Sequence, residues 1–313
     1  MKFSVLCLNP CCDRTVFEHE NENTKTEKIG FGGKGLNQAI MLNRFGAPVT
    51  LFSLTGDSGY AAFLEENRIN AVTVATASPL RTNTKIIGHN YEREINEIGT
   101  EVRTDEAKEL LHEFRMSDCD IVSLCGSIPP GIDKAIYYHI IKDAKDSSKL
   151  TVLDASGDAL RFGLEARPEL IKPNLDELSE LSGKKLTEIG EVIAVCREIF
   201  LLTGTEVICT LGSEGSVFVG HDGIFRAYAP HVEVRGFAGA GDCFLAAFLY
   251  AKYILSIQKH IGSDKTNGDL TEFSLAFATA AAAAKVSETG TDMPDPKTVF
   301  NSYNKIKIEK IDI

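Results

Sequence analysis

The sequence predicts an α/β fold: a three-layer sandwich with a mostly parallel central sheet and a small β-sheet lid. Three observations carry this. After Thr104, apolar runs of strand length alternate with segments of helical length, which puts strands inside and helices on both faces. Stretches at about 11–30 and 72–102 break that rhythm with polar alternation, the pattern of a small sheet apart from the main core. Finally, Gly239-Ala240-Gly241-Asp242 sets three small residues and an acid before a segment apolar on every side, which reads as a buried helix. Ligands of such sheets bind beyond the carboxyl ends of the strands, where the loops gather. With 313 residues and no internal repeat, the chain reads as a single domain over 1–313.

In chain order, residues 3–8 form a buried-type strand stopped by Asn9 and Pro10. The charge-dense segment 19–28 has little to bury and is a loop or a solvent-exposed strand pair. Gly32-Gly33-Lys34-Gly35 opens a helix whose apolar positions run through Ala39, Ile40, Leu42 and Phe45 to a stop at Gly46. A strand at 49–54 and a helix at 58–68 follow. Val72, Val74, Thr82, Thr84, Ile86, Tyr91, Arg93 and Ile95 then alternate as lid strands. Helices at 105–116, 134–145 and 188–202, and one opening at Asn174, separate strands at 120–125, 150–153, 170–172 and 206–211. Residues 217–219 and 224–228 pair as a hairpin, and helices cover 242–256, 270–286 and 294–303.

Composition narrows the function classes. The chain is 43% hydrophobic and 25% charged, ordinary for a soluble globular protein. A net charge of −11 argues against nucleic acid or an anionic membrane as partner, so an anionic ligand needs a local cluster of Lys and Arg. The eight cysteines include no C-x-x-C pair and mostly sit in apolar runs, as small core residues of a reduced protein do. The N-terminus turns polar too soon for a signal peptide, and no apolar run reaches membrane-span length. A cytoplasmic protein is expected.

Several clusters bear chemistry, each with a plainer alternative. At the small-residue turn, the first amides of the helix point outward beside the positive end of its dipole, which suits an anion. Asp242 there is either a helix cap or a general base beside an anion hole, the latter fitting phosphoryl transfer to a hydroxyl. Gly30, Gly32 and Gly35 satisfy G-x-G-x-x-G formally, but no buried strand precedes them, so a dinucleotide site is rejected. Gly33, Lys34 and Asn37 bring bare backbone, an ammonium and an amide to a sugar, or else simply start a helix. Arg81, Asn83 and Lys85 share one strand face, able to bind a phosphomonoester or merely solvated. Asn174 and Glu177 form a capping box, or arrange waters around Mg²⁺. Residues 126–131 make a rigid turn after a strand, and Thr210, Gly212 and Gly215 a small-residue loop after another.

In this order the pieces resemble the phosphofructokinase B family of ribokinase-like carbohydrate kinases, most closely its 1-phosphofructokinase and tagatose-6-phosphate kinase branch. The similarity covers nearly the whole chain. It lies in Leu8-Asn9-Pro10 with Asp13, Gly32-Gly33-Lys34-Gly35 with Asn37, Arg81 with Asn83 and Lys85, and Glu94-Ile95-Asn96. It continues in Gly126-Ser127 with Pro129-Pro130-Gly131, Asp154 with Ser156-Gly157, Lys172-Pro173-Asn174 with Glu177, and Gly239-Ala240-Gly241-Asp242. The resemblance implies a ribokinase-like fold and an ATP-dependent sugar-phosphate kinase, acting on fructose 1-phosphate or on tagatose 6-phosphate. A ribokinase-type enzyme for an unphosphorylated sugar and a catalytically silent sugar-phosphate sensor are the alternatives. It makes Asp242 the base and gives the amides of Gly239, Ala240, Gly241 and Asp242 the transferring phosphoryl group. Asp13, with Gly33 and Asn37, would bind sugar hydroxyls; Lys34, Arg81 and Lys85, with Asn83 and Ser127, the sugar phosphate. Lys172, Asn174, Thr210, Gly212 and Gly215 would lie along ATP, and Glu177 would hold Mg²⁺ through water. Adenine would sit between the loop after the 224–228 hairpin and the helix near 280–287. No large pKa shift is expected at Asp242.

Three departures bear on these expectations. Where the family usually has Thr preceded by Asp or Ser, this chain has Phe237 and Gly236, which puts a side-chain role in a monovalent cation (K⁺) site in doubt. Cys243 and Ala247 replace Ser and Gly with little change of volume. The segment from Asp13 to Lys34 is short, so the lid hairpin, through which family members dimerise, is expected to be reduced.

Overall fold

The computed structural model describes residues 1–18, 25–56, 58–87, 92–256, 267–288, 290 and 292–312. The strands are β1 (Phe3–Cys7), β2 (Cys11–Glu18), β3 (Lys25–Gly32), β4 (Val49–Thr55), β5 (Ala71–Ala75), β6 (Arg81–Ile87) and β7 (Glu92–Asn96). They continue with β8 (Ile121–Cys125), β9 (Leu150–Asp154), β10 (Leu170–Ile171), β11 (Glu206–Thr210), β12 (Ser216–Gly220), β13 (Gly223–Ala227) and β14 (Ile308–Ile311). The helices are α1 (Lys34–Arg44), α2 (Ser58–Glu66), α3 (Thr104–Arg115), α4 (Ile136–Asp146) and α5 (Gly157–Glu165). Then come α6 (Leu175–Ser182), α7 (Ile189–Thr203), α8 (Ala240–Tyr250), α9 (Asn267–Val286) and α10 (Pro296–Ser302).

A ten-stranded sheet runs β14-β13-β12-β11-β10-β9-β8-β1-β4-β5, parallel from β5 through β11 and antiparallel over its last three strands. Helices cover both faces, and β1 shows why both must be covered. Phe3, Val5 and Cys7 point into a core with α1, α8 and α9, while Leu6 and Leu8 point into a second core with α3, α4 and α7. A strand buried on both sides reads as a near-continuous apolar run, as this one does but for Ser4.

The small sheet is β3-β2-β6-β7. Within it β2 and β3 are antiparallel, β2 and β6 parallel, and β6 and β7 antiparallel. It branches directly from the large one: β2 begins four residues after β1 ends, and β3 runs into α1 through Gly33. Gly33 has a φ of 121°, and a Cβ there would lie 3.2 Å from the Pro10 Cα, so only glycine fits this junction.

The structure corrects the expected extent of the small sheet. Ala71–Ala75 pairs in parallel with β4 as an edge strand of the large sheet, so Val72 and Val74 are not in the lid, which takes only β6 and β7 from the stretch 72–102. The edge position exposes one face, and that produces the alternation that imitated a lid strand. Residues 25–28 form a strand pair with β2, whereas 19–24 and Tyr91 lie outside the described residues. The expected helix over 242–256 starts earlier, at Ala240, and its last turn, Ala251–Leu255, widens to a π-helix. Among the described residues no helix is long and apolar enough to cross a membrane. All eight cysteines are free thiols, and seven are buried.

Candidate active site

The site gathers where β1, β8, β9 and β11 end and the small sheet begins. Gly239 caps the start of α8 with a left-handed φ of 78°, which L side chains disfavour. A Cβ there would also press within 3.0 Å of the Met293 Cε and 3.3 Å of the Asn37 Nδ2. Among the described residues the N–H groups of Gly239, Gly241 and Asp242 find no acceptor. The Ala240 N–H differs from expectation, because it donates to the Phe237 carbonyl at 3.2 Å and so closes the turn. Three free amides therefore stand together at the positive end of a helix dipole, an arrangement suited to an anion.

Asp242 is buried beside them. Its Oδ2 accepts from the Asn37 Nδ2 at 2.8 Å, which fixes the carboxylate, and its Oδ1 has no hydrogen-bond partner among the described residues. A cluster of charge lies next to it. Lys34 Nζ reaches Asp154 Oδ1 at 2.9 Å and Glu177 Oε1 at 3.1 Å, and Lys172 Nζ is 3.4 Å from Asp154 Oδ1. A Cβ on Gly241 would stand 3.3 Å from the Lys172 Nζ, so this ammonium abuts the turn. The Lys34 ammonium is held by two carboxylates, from the ends of β9 and α6, at the edge of the cavity that Arg81 and Lys85 also line.

Asn174 and Glu177 form the expected capping box, with Glu177 N donating to Asn174 Oδ1 at 2.7 Å and Asn174 N to Glu177 Oε2 at 2.9 Å. The cap leaves the other Glu177 oxygen facing Lys34. Thr210 bridges to Asn174 in parallel, and Gly212 and Gly215 turn the chain after β11 with φ of 59° and 95°. A Cβ on Gly215 would lie 1.9 Å from the Ala227 carbonyl oxygen, so the loop closes tightly on the hairpin.

The register of the small sheet sets Gly30, Asp13, Asn83 and Asn96 in one cross-strand row, with Arg81 and Lys85 two residues either side of Asn83. Arg81, Asn83, Lys85 and Asp13 line a cavity of about 240 Å³, as do Gly33, Lys34, Asn37 and Gly239 from the large sheet's side. The Arg81 Nη1 donates to Glu97 O at 2.8 Å, while its buried Nε has no partner among the described residues. Ser127 does not line the cavity and accepts from Asn9 Nδ2 at 2.9 Å. Three residues without an assigned role also belong here. Asn96 and Arg235 line the cavity, and Asp154, 1% exposed, ties both lysines together. Asp154 had a signal in the sequence, an acid closing a buried strand.

Residues 6–298 match the pfkB family of carbohydrate kinases. The chain belongs to that family. It is 30% identical over 291 residues to the 1-phosphofructokinase of Borreliella burgdorferi, covering 89% of this chain and 90% of that one. It is 27% identical to the 1-phosphofructokinase of Haemophilus influenzae, over 93% and 92% of the two chains. Its fold is that of phosphofructokinase-2 from Escherichia coli in complex with substrates and products, with a TM-score of 0.85, 22% identity and coverage of 97% and 99%. Ribokinase from Giardia lamblia shares the fold at a TM-score of 0.78, 19% identity and coverage of 97% and 98%. This pfkB protein is thus an ATP-dependent carbohydrate kinase with a ribokinase-like α/β fold.

The electrostatics of the pfkB site depart from the unshifted base expected at Asp242. Burial and the nearby Asp154 charge push its pKa up to about 6, although Lys34, Asn37 and Lys172 pull the other way. Burial opposes the charge on Lys34, but Asp154, Glu177 and Asp242 outweigh it and raise its pKa. Burial likewise works against ionised Asp154, and Lys172 and Lys34 overcome it and hold the pKa below the usual carboxylate range. The two acids are thereby driven apart, one kept charged and one poised to take a proton. A kcat/KM profile for the sugar is expected to fall about tenfold per pH unit below about pH 6, as a single base is protonated. A profile flat from pH 7 down to about 5 would remove Asp242 as that base.

Proposed function

We propose that this kinase phosphorylates a sugar phosphate, fructose 1-phosphate at its 6-hydroxyl, with tagatose 6-phosphate at its 1-hydroxyl the nearest alternative. The observation that supports the reading is one cavity lined by Arg81, Asn83 and Lys85 at the small sheet and by the Asp242 turn at the other side. A guanidinium fork and an ammonium on one strand face suit a phosphomonoester, and Asp13 beside them suits sugar hydroxyls. The relatives named 1-phosphofructokinase point the same way.

In this reading Asp242 Oδ1 takes the proton of the attacking hydroxyl while Asn37 keeps the carboxylate turned toward it. The free amides of Gly239, Gly241 and Asp242 hold the migrating phosphoryl group, and Lys172, at the same turn, adds positive charge. Lys34 belongs with this phosphoryl end of the site rather than with the sugar phosphate. ATP would run from there along Asn174 and the loop of Thr210, Gly212 and Gly215, with adenine between the loop after β13 and α9.

The residues present fit a magnesium ion held largely through water. Glu177 and the buried, unpartnered Asp154 Oδ2 are the acids at hand, and among the described residues no group of three or more His, Cys, Asp or Glu forms a metal cage. Mg²⁺ keeps most of its waters at such sites and neutralises the nucleotide phosphates. Glu177 and Asp154 would hold it. A homodimer through the small sheet also belongs to this proposal: Ile29 and Ile95 share one row of its strands and are 65% and 44% exposed.

The test is a coupled ATPase assay across sugars and sugar phosphates, wild type beside Arg81→Ala and Lys85→Ala. Fructose 1-phosphate is expected to turn over, with each variant raising its KM about ten- to a hundredfold and changing kcat little, as loss of ground-state phosphate contacts does. Turnover of unphosphorylated sugars with unchanged KM in the variants would move the enzyme to the ribokinase type. No turnover of any sugar would make it a sensor.

A further inference from the structure

The last turn of α9 contains a lysine that the reaction described above does not use. Lys285 is 0% exposed, and its Nζ donates to the Gly290 carbonyl at 2.9 Å. Among the described residues no carboxylate lies within ion-pair distance of it. Burying a charge without a counter-ion is costly, and a methionine would fill the same space without that cost. What surrounds the ammonium accounts for its presence. A Cβ built on Gly239 would lie 3.5 Å from the Lys285 Cε, and one on Gly236 would lie 3.8 Å from the Gly290 oxygen that accepts the lysine's bond. The N–H groups of Arg235 and Gly236 both donate to the Val286 carbonyl, at 2.7 and 3.2 Å, which staples the turn to the end of α9. The buried charge therefore stands directly behind the amides that receive an anion.

Among the described residues this turn offers a free monovalent cation no side-chain ligand at 236 or 237. Gly236 has no side chain, and the Phe237 side chain carries no oxygen and is 63% exposed, so neither offers a side-chain ligand, while the Phe237 carbonyl already accepts from the Ala240 N–H. The Gly290 carbonyl is already taken by an ammonium, which would repel a second positive charge. We propose that Lys285 is a tethered cation, a positioning residue that holds the 236–241 turn in register and places its charge behind the anion hole, so that turnover needs no added K⁺. Burial lowers the Lys285 pKa, in keeping with an ammonium shielded from water. The proposal rests on the kinase reading of that turn.

The test compares wild type, Lys285→Met and Lys285→Arg in about 0.1 M tetramethylammonium, potassium or ammonium chloride, at equal ionic strength. Wild-type kcat is expected to be the same in all three salts. Lys285→Met is expected to lose about a hundredfold in kcat with sugar KM nearly unchanged, on the scale of a lost oxyanion contact. Ammonium or potassium should restore part of that loss, and Lys285→Arg should retain most of the activity. Thermal melts supply a second readout, independent of turnover: potassium should raise the melting temperature of Lys285→Met and leave wild type unmoved. Strong potassium activation of the wild type, or a Lys285→Met enzyme of normal kcat, would overturn the proposal. So would a loss in Lys285→Met that no cation relieves in rate or melting. If Lys285→Met fails to fold, the wild-type salt series decides alone. Should no sugar turn over, the kinase reading falls while the melts still judge the tethered cation.

Discussion

Asp242→Asn is expected to abolish most turnover and yet yield a more stable protein. Loss of a general base costs about a hundred- to ten-thousandfold in kcat, and nucleotide binding should change little because the backbone amides stay in place. The stability gain follows from the raised pKa. A carboxyl shifted up to about 6 binds a proton more readily folded than unfolded, so its charge opposes folding once the pH exceeds that value. A shift of about two pH units corresponds to at most about 3 kcal/mol. Asparagine keeps an acceptor for Asn37 and removes the buried charge. The variant should therefore melt higher than wild type at pH 7 to 8, with the gap closing as the pH falls toward about 4. Thermal unfolding across that range, beside the coupled assay, tests both halves. A near-normal rate, or a lower melting point at pH 8, would end the assignment of Asp242 as a desolvated base.

Asp154→Asn should show the opposite pH signature. Among the described residues Asp154 is the only carboxylate within reach of the Lys172 ammonium, which is 4% exposed. Removing one partner of a buried pair strands the other charge, a loss of about 3 to 5 kcal/mol and, for a chain of this length, on the order of 10 °C in melting temperature. Because the Asp154 pKa is held low, the stability it contributes is present above the ordinary carboxylate range and disappears as the pH falls through its folded value. The deficit of the variant should thus be largest at neutral pH and shrink in acid. Activity should fall as well, since Lys34 and Lys172 lose their anchor. A variant that melts like wild type at pH 7 would show that the two lysines do not depend on this acid.

Much of this was legible in the chain. The alternation after Thr104 gave the parallel sheet, and the joint order of modest motifs gave the family. What escaped detection did so for physical reasons. Helix α5 is short and carries Gly157 and Gly163, the latter packed against Leu153 so closely that its smallness is a packing need. Strand β14 is a half-exposed edge with charges at Glu309 and Lys310, indistinguishable from a tail by pattern. At the site, residue types were readable and partners were not. A lysine after two glycines offers a cation, but only the fold shows that Asp154 and Glu177 claim it. Lys285 ends an alanine-rich helix, where a lysine ordinarily sits in water at the negative end of the dipole; its burial follows from the turn that packs over it.

The site draws its side chains from two sheets, joined among other places at the Pro10 and Gly33 junction. Asp13, Arg81, Asn83 and Lys85 come from the four-stranded sheet, while Asp154, Lys172, Glu177 and Asp242 come from loops and ends around the ten-stranded one. On the proposed reading, choice of acceptor and delivery of phosphate are encoded in separate pieces of chain. Divergence can then rewrite the menu of acceptors in one piece while the donor chemistry of the other is inherited untouched.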